Sequence, residues 1–172
     1  NCKGIWEFNM DHPSWPGATY TGEWKNGKPD GNGSLIYRAG SESEGTDYVG
    51  EFKNGMVHGY GVSTSGKGDI YRGQWLNDKA NGQGFMSLAD GTVLEGEFKN
   101  NKLNGQGIAI GANGNREEGR FENGQLVFGK ASFPSGAIYE GQFVGKSLVE
   151  GKIIFTKSGN TQEGKFSDGS IV

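Results

Sequence analysis

Side chains that commonly act as nucleophile and base are scarce in this sequence, which offers only Cys2, His12 and His58. A catalytic nucleophile and its base must meet at hydrogen-bonding distance. Cys2 and His12 fall in an irregular N-terminal stretch, whereas His58 stands at a position that other segments fill with Asp or Asn. The sequence therefore predicts no catalytic residue, and we expect a protein that is not an enzyme.

Motifs for metals and cofactors are missing as well. No zinc-ligand spacing, P-loop or dinucleotide fingerprint occurs. The many Gly-x-Gly pairs precede no helical pattern, so they do not form the loop that binds phosphate at a helix N-terminus. We expect neither a metal nor a cofactor.

Composition narrows the class of protein further. The chain has 172 residues, of which 33 are Gly, and only 33% are hydrophobic, which is too few for a thick core. Collagen is excluded because the glycines do not recur at every third position, and disorder fits poorly because aromatic residues make up 12%. The net charge of -3 argues against nucleic acid as a partner and disfavours anionic lipid.

A repeat of about 23 residues organises the chain. Seven segments align on a central glycine within the pattern Tyr-x-Gly-x-Trp/Phe, and successive intervals are 28, 23, 23, 23, 22 and 23 residues. The central glycines are Gly22, Gly50, Gly73, Gly96, Gly119, Gly141 and Gly164. The longer first interval contains the polar stretch 41–46, which we interpret as an extended surface loop.

Two turn signals punctuate each repeat. The first is Asn-Gly or a substitute, as at Asn26-Gly27 and, in the sixth repeat, Val144-Gly145. A second turn follows at pairs such as Asp90-Gly91. Asn, Asp and Gly tolerate the positive φ angles of tight hairpin turns, so the pattern predicts strand, turn, strand, turn.

Alternation along the first strand of each repeat places Tyr20, Gly22 and Trp24 on one face and Thr21 and Glu23 on the other. Equivalent side chains then form rows across the sheet. We expect each ring to lie over a neighbouring glycine, where a Cβ would block it. The Trp/Phe row is continuous, whereas the Tyr row contains Leu94, Glu117 and Gln162 toward the C-terminus.

The pattern Tyr-x-Gly-x-Trp/Phe, then Asn-Gly, then Gly-x-Gly resembles the MORN (membrane occupation and recognition nexus) repeat. The resemblance spans about residues 20–172 as six units and a terminal half unit, and Cys2-Lys3-Gly4 resembles the second half of an earlier unit within residues 1–19. It implies an all-β fold, an elongated single-layer antiparallel meander of stacked β-hairpins, twisted or curved. It also implies a groove that binds partner segments, and links to phospholipids in some members.

The fifth and sixth units depart from this pattern. Their Gly-x-Gly pair is reduced to one glycine, in Gly129-Lys130 and Gly151-Lys152, and bulkier residues such as Phe128 and Ile153 stand nearby. We expect a change of packing there, with a tighter bend or a capping contact.

The aromatic face is the first candidate binding site, since a one-layer sheet cannot cover both faces and leaves apolar surface for a partner. A protein or peptide segment is the expected partner. A membrane surface and attachment to a larger enzyme, as in MORN arrays fused to lipid kinases and methyltransferases, stay open. The residues of this hypothesis are Tyr20, Trp24, Tyr48, Phe52, Tyr71, Trp75, Leu94, Phe98, Phe121, Tyr139, Phe143 and Phe166.

The second candidate is an acidic stripe on the opposite face, formed by Glu95, Glu118, Glu140 and Glu163. It would attract a basic partner, although carboxylates spaced by two strands are too far apart to share a metal ion. The alternative, a solvated face with weak cross-strand ion pairs, is favoured.

The N-terminal region breaks the repeat. The segment 10–17 contains two prolines and Trp15, which we expect to cap the first hairpin at its edge. The first residue is Asn1, which suggests a trimmed or processed chain. The opening Asn1-Cys2-Lys3-Gly4 resembles exported bacterial MORN proteins, which favours the bacterial envelope and leaves a cytoplasmic location open. The sequence does not specify an oligomeric state.

Overall fold

The computed structural model describes residues 2–12, 15–37, 44–167 and 170–172. Within these ranges the regular elements are fifteen β-strands and no helix, which confirms the predicted all-β hairpin meander. The chain forms two compact units, Asn1–Ala89 and Asp90–Val172. Residues 41–43 of the predicted extended loop and the predicted turn at 168–169 lie outside the described residues.

The first unit contains seven strands, each paired antiparallel with its neighbour in sequence. The contacts between strands are concentrated in these adjacent pairs, so the unit is a single layer. The strands are β1 (Cys2–Glu7), β2 (Ala18–Lys25), β3 (Lys28–Tyr37), β4 (Asp47–Lys53), β5 (Met56–Thr64), β6 (Ile70–Leu76) and β7 (Lys79–Ser87).

The second unit repeats this arrangement, again with antiparallel pairing between successive strands. The strands are β8 (Val93–Lys99), β9 (Lys102–Ile110), β10 (Arg116–Glu122), β11 (Gln125–Ser132), β12 (Ala137–Val144), β13 (Ser147–Phe155), β14 (Asn160–Ser167) and β15 (Ser170–Ile171).

The hairpin turns follow the predicted chemistry with one correction. Asn26 and Gly27 have φ angles of 51° and 73°, and both residues of the equivalent turns at 54–55, 77–78, 100–101 and 123–124 also have positive φ. This is the geometry of the tight turn that matches strand twist. The sixth repeat differs, because Val144 pairs with Ser147 in the strands and the turn is Gly145-Lys146. The turn predicted at Val144-Gly145 was therefore wrong by one residue, since the glycine takes the first turn position.

Glycines from successive strands stand opposite one another and form an unbroken row within each unit. In the first unit, Gly22 is opposite both Gly4 and Gly33, and the pairing continues through Gly50, Gly61, Gly73 and Gly84. In the second unit the row is Gly96, Gly107, Gly119, Gly129, Gly141, Gly151 and Gly164. Each unit thus carries a strip of backbone without side chains, and in the first unit the tyrosine rings lie across it.

The strand register shifts just beyond the glycine pair of each hairpin. In the first hairpin, Gly22 is opposite Gly33 but Trp24 is opposite Pro29, so Glu23 faces three residues of β3. The Glu23 carboxylate accepts a hydrogen bond of 3.0 Å from the backbone N–H of Asn32. These β-bulges were not predicted from the sequence, and they explain why a Glu or Gln follows the central glycine.

The first glycine of each Gly-x-Gly pair makes room for this bulge. Gly31 and Gly59 have φ angles of 110° and 61°, and a Cβ at either position would overlap the side chain of Glu23 or Glu51, respectively. In the fifth hairpin, where that glycine is missing, Arg120 replaces the glutamate and the bulge has one extra residue. In this hairpin the departure noted in the sequence is therefore a simpler bulge, at which Arg120 offers no side-chain acceptor for the backbone.

Cross-strand neighbours on the aromatic face are matched in size. Trp24 is opposite Pro29, and Trp75 is opposite Ala80, whereas Phe52 is opposite Val57. In the second unit each phenylalanine of a complete hairpin is opposite a leucine, in the pairs Phe98/Leu103, Phe121/Leu126 and Phe143/Leu148. These leucines are at most 5% exposed. Leu103 and Leu126 fill the interior in hairpins where the tyrosine row is interrupted, by Leu94 and Glu117 respectively.

Trp15 lies on the aromatic face and not at the strand edge, where we had expected it. Its ring stacks on Tyr20 at 6.4 Å and meets Phe52 edge-on at 5.9 Å, and only 6% of the residue is exposed. The edge of β2 is instead paired with β1. Trp15 therefore covers the interior of the first unit.

The contact between ring and glycine predicts a specific coupling between Tyr48 and Gly61. A Cβ at Gly61 would overlap the Tyr48 ring. We expect Gly61→Ala to lower the free energy of unfolding by about 1–3 kcal/mol through overpacking. In the Tyr48→Leu background, which copies Leu94 of the fourth repeat, the same change should cost much less. Urea unfolding of the four proteins measures the coupling, and additive effects would contradict it.

Candidate functional site: the aromatic face

The rings of the first unit form a continuous chain of edge-to-face contacts. Successive centroids are 5.2, 4.9, 5.2, 5.5 and 5.0 Å apart, with interplanar angles of 83° to 90°. The order of the rings is Trp24, Tyr20, Phe52, Tyr48, Trp75 and Tyr71. This is the geometry that aromatic quadrupoles favour, and it confirms that the tyrosines and the Trp/Phe residues share one face.

Each tyrosine also fixes the bulge of its own repeat. The hydroxyls of Tyr20 and Tyr71 donate hydrogen bonds of 2.9 and 3.0 Å to the backbone carbonyls of Glu23 and Gln74. Burial raises the pKa of both tyrosines from 10.0 to about 12, and the Glu23 charge adds to the effect at Tyr20. Burial likewise raises the pKa of Tyr48. The folded state therefore favours the neutral form of these hydroxyls.

These pKa shifts predict alkaline destabilisation. Because the folded state holds the pKa of Tyr71 at about 12, above the unfolded value of 10.0, its contribution to stability is complete below pH 10. It is lost as the pH rises from 10 toward 12. We expect the urea midpoint to fall over this interval, and to fall less steeply in Tyr71→Phe. An equally steep loss in that variant would contradict the assignment.

Most residues of the partner-binding hypothesis are buried, each within its own unit. The buried ones are Tyr20, Tyr48, Phe52, Tyr71, Phe98, Phe121, Phe143 and Phe166. The half-buried ones are Trp24, Trp75, Leu94 and Tyr139. Any partner contact on this face therefore falls mainly on the half-buried set, and the buried rings serve as the interior of the sheet.

A cavity of about 340 Å³ opens on the aromatic face of the first unit. Its walls include the rings of Tyr37, Tyr48 and Trp75, and Asp78 also lines it. The Trp75 indole N–H donates to the carbonyl of Gly61 at 3.3 Å, which fixes the ring. Tyr37 is half-buried. Its pKa is raised, mainly by burial and to a smaller extent by the negative charge of Asp78.

Tyr37 and Asp78 were not among the residues predicted to bind a partner. Tyr37 is the last residue of β3 and comes after the Gly-x-Gly pair of its repeat. Asp78 replaces the glycine of the usual Asn-Gly turn. In the sequence, an Asp at this position indicates only a turn. The sequence does not show that the turn of one hairpin lies against a strand of the preceding hairpin. In the structure, Asp78 accepts a 2.8 Å hydrogen bond from the backbone N–H of Val57.

The acidic stripe lies among compensating cations. Glu140 is 2.9 Å from Lys152 and 3.8 Å from Lys130, and Glu118 forms an ion pair with Arg116. The hydrogen bond from Lys152 holds the pKa of Glu140 below its usual range. The two lysines lie in β11 and β13, the strands on either side of Glu140. The stripe hypothesis counted only the glutamates and left these lysines out. No group of His, Cys, Asp and Glu in the described residues is arranged to hold a metal ion.

Of the three residues considered for catalysis, Cys2 and His12 lie at one cavity and His58 lies elsewhere. His12 accepts a 3.0 Å hydrogen bond from the backbone N–H of Trp15 through Nδ1, and its ring packs on Phe8 at 4.4 Å. Cys2 is exposed in β1, and His58 pairs with Glu51 across the second hairpin. Cys2 and His12 line one cavity of about 620 Å³, but no hydrogen bond joins them in the part of the chain described.

The family model of the MORN repeat matches residues 20–42, 48–70, 71–93 and 95–116, which together are more than half of the chain. The chain therefore belongs to the MORN repeat family. Its repeats are of a kind that typically mediates interactions with proteins or membranes. A comparison with curated proteins found no match. Among the described residues, none belongs to a helix long and apolar enough to cross a membrane.

Proposed function

We propose that this chain is a non-catalytic interaction module that binds a segment of a partner protein on its aromatic face. The observation that carries the proposal is the cavity bordered by Tyr37 and Trp75, two half-buried rings that the interior does not fully use. Aromatic side chains of this kind offer large apolar area at little entropic cost, and they are enriched at protein interfaces. An extended or helical apolar segment has the size and chemistry to cover them.

The buried rings give the site a rigid floor. Tyr48 is only 4% exposed, and its ring centroid lies 5.5 Å from that of Trp75, so the exposed part of Trp75 is held by packing. A preformed surface loses little conformational entropy on binding. The geometry of His12 supports a non-catalytic role for that residue. Its Nδ1 lone pair accepts a backbone hydrogen bond, so this nitrogen is not free to serve as a base.

The test is partner capture from a native extract, with variants on opposite faces. We expect Trp75→Phe to reduce capture of a specific protein, because apolar area of the indole is lost, while Phe52 and Phe98 show that phenylalanine fits this position. The matched control is Phe85→Ser, since Phe85 is opposite Arg72 on the other face and is 37% exposed. Urea unfolding must show that both variants remain folded.

Equal capture by Trp75→Phe and the unmodified chain, with loss in Phe85→Ser, would place the interface on the opposite face and overturn the proposal. Co-sedimentation with zwitterionic and anionic vesicles tests the membrane alternative. Vesicle binding that both variants retain, without capture of any protein, would also count against the proposal.

A further inference from the structure

The cavity beside Trp75 combines aromatic walls with a single carboxylate. Tyr37, Tyr48 and Trp75 contribute rings, and Val57 contributes an apolar side chain to the same wall. Among the described residues that line the cavity, Asp78 is the one that carries a charge. Apolar rings pack well against a methylene stem, and a nearby carboxylate attracts a cation at the end of that stem. The cavity is therefore suited to a cation on an apolar stem.

The Asp78 carboxylate is held in place but not neutralised. One of its oxygens accepts the 2.8 Å hydrogen bond from the N–H of Val57, and its own N–H donates to the Val57 carbonyl at 3.1 Å. No Lys or Arg of the described ranges forms an ion pair with it. Its negative charge acts on both Tyr37 and Tyr48, which places the charge at the aromatic wall.

We propose that this cavity receives the side chain of a lysine from the partner segment, with the methylene stem against Trp75 and Tyr37 and the ammonium group at Asp78. The inference rests on the proposed function, because it names the chemistry recognised on the same face. Lysine fits better than arginine, since one carboxylate oxygen is engaged by Val57 and the planar two-point pairing that arginine prefers is hindered.

The polar groups of the cavity also favour an ammonium over a quaternary amine. Ser63 and Thr46 line the same space as Asp78 and offer hydroxyl oxygens. These acceptors need N–H donors, which a lysine ammonium has and a trimethylated lysine lacks. The volume of about 340 Å³ is sufficient for one such side chain together with water.

The test uses the whole chain and a five-residue peptide with one central lysine, blocked at both ends and otherwise made of Gly and Ala. Two-dimensional NMR follows the indole N–H of Trp75 and the backbone N–H of Val57 during titration. We expect saturable shifts of both signals. The matched peptide with norleucine, which keeps the stem and lacks the charge, should bind about three- to fivefold more weakly, as befits an exposed ion pair.

Asp78→Asn removes the charge with little effect on the turn. Asn101 stands at the equivalent turn position of the next repeat with a φ angle of 67°, close to the 64° of Asp78. We expect this variant to bind the lysine and norleucine peptides equally. The control Glu122→Gln, which removes an exposed carboxylate from the second unit, should keep the preference for lysine.

Equal binding of the lysine and norleucine peptides by the unmodified chain would overturn the lysine assignment, while the proposed apolar docking would stand. Tighter binding of a trimethyl-lysine peptide would overturn the choice of an unmodified lysine. If none of the peptides moves either signal while Trp75→Phe still abolishes partner capture, the lysine inference fails and the proposed function survives.

Discussion

The fold of the first unit depends on aromatic rings that lie on backbone without side chains. Glycines face each other across every hairpin, and in the first unit the Tyr20, Tyr48 and Tyr71 rings occupy the space that Cβ atoms would take. A strand-interior glycine costs about 0.5–1 kcal/mol, whereas burying an aromatic side chain contributes about 1.5–3 kcal/mol. In the first unit the balance favours the glycines because a ring covers them. In that unit the glycine row and the chain of aromatic rings therefore depend on each other.

The same constraint explains the finer pattern of each repeat. A tyrosine that reaches over two glycines brings its hydroxyl to the carbonyl of the bulge residue, and that residue turns its own side chain to the opposite face. There the carboxylate of Glu51 accepts a 2.8 Å hydrogen bond from the N–H of Tyr60. The two faces are thus coupled through one residue. Where the tyrosine is replaced, as at Leu94, a leucine from the facing strand packs against Gly107 instead.

Much of this architecture was readable from residue types and spacing. The repeat length, the Asn-Gly turns and the shared face of tyrosine and tryptophan follow from local chemistry, which acts within a few residues. The bulge did not, since the hydrogen bond from Asn32 to Glu23 joins residues nine positions apart. The leucines opposite Phe98 and Phe121 were missed for a similar reason, because their role appears only when strand register is known.

The candidate site was readable only in part. The sequence indicates which face is aromatic, but it does not tell a ring that fills the interior from one that remains accessible. That distinction depends on neighbours such as Trp15, which comes from outside the repeat and covers Tyr20 and Phe52. The cavity at Trp75 likewise depends on Asp78 from an adjacent turn.

The proton chemical shifts of the glycine row test the central interaction most directly. If the Tyr48 ring covers Gly61, the ring current must move a Gly61 Hα resonance well upfield of the ordinary glycine range. Gly107, which packs against Leu103, must show no such displacement. Ordinary Hα shifts at Gly61, or equal shifts at both glycines, would contradict the account of rings packed on bare backbone.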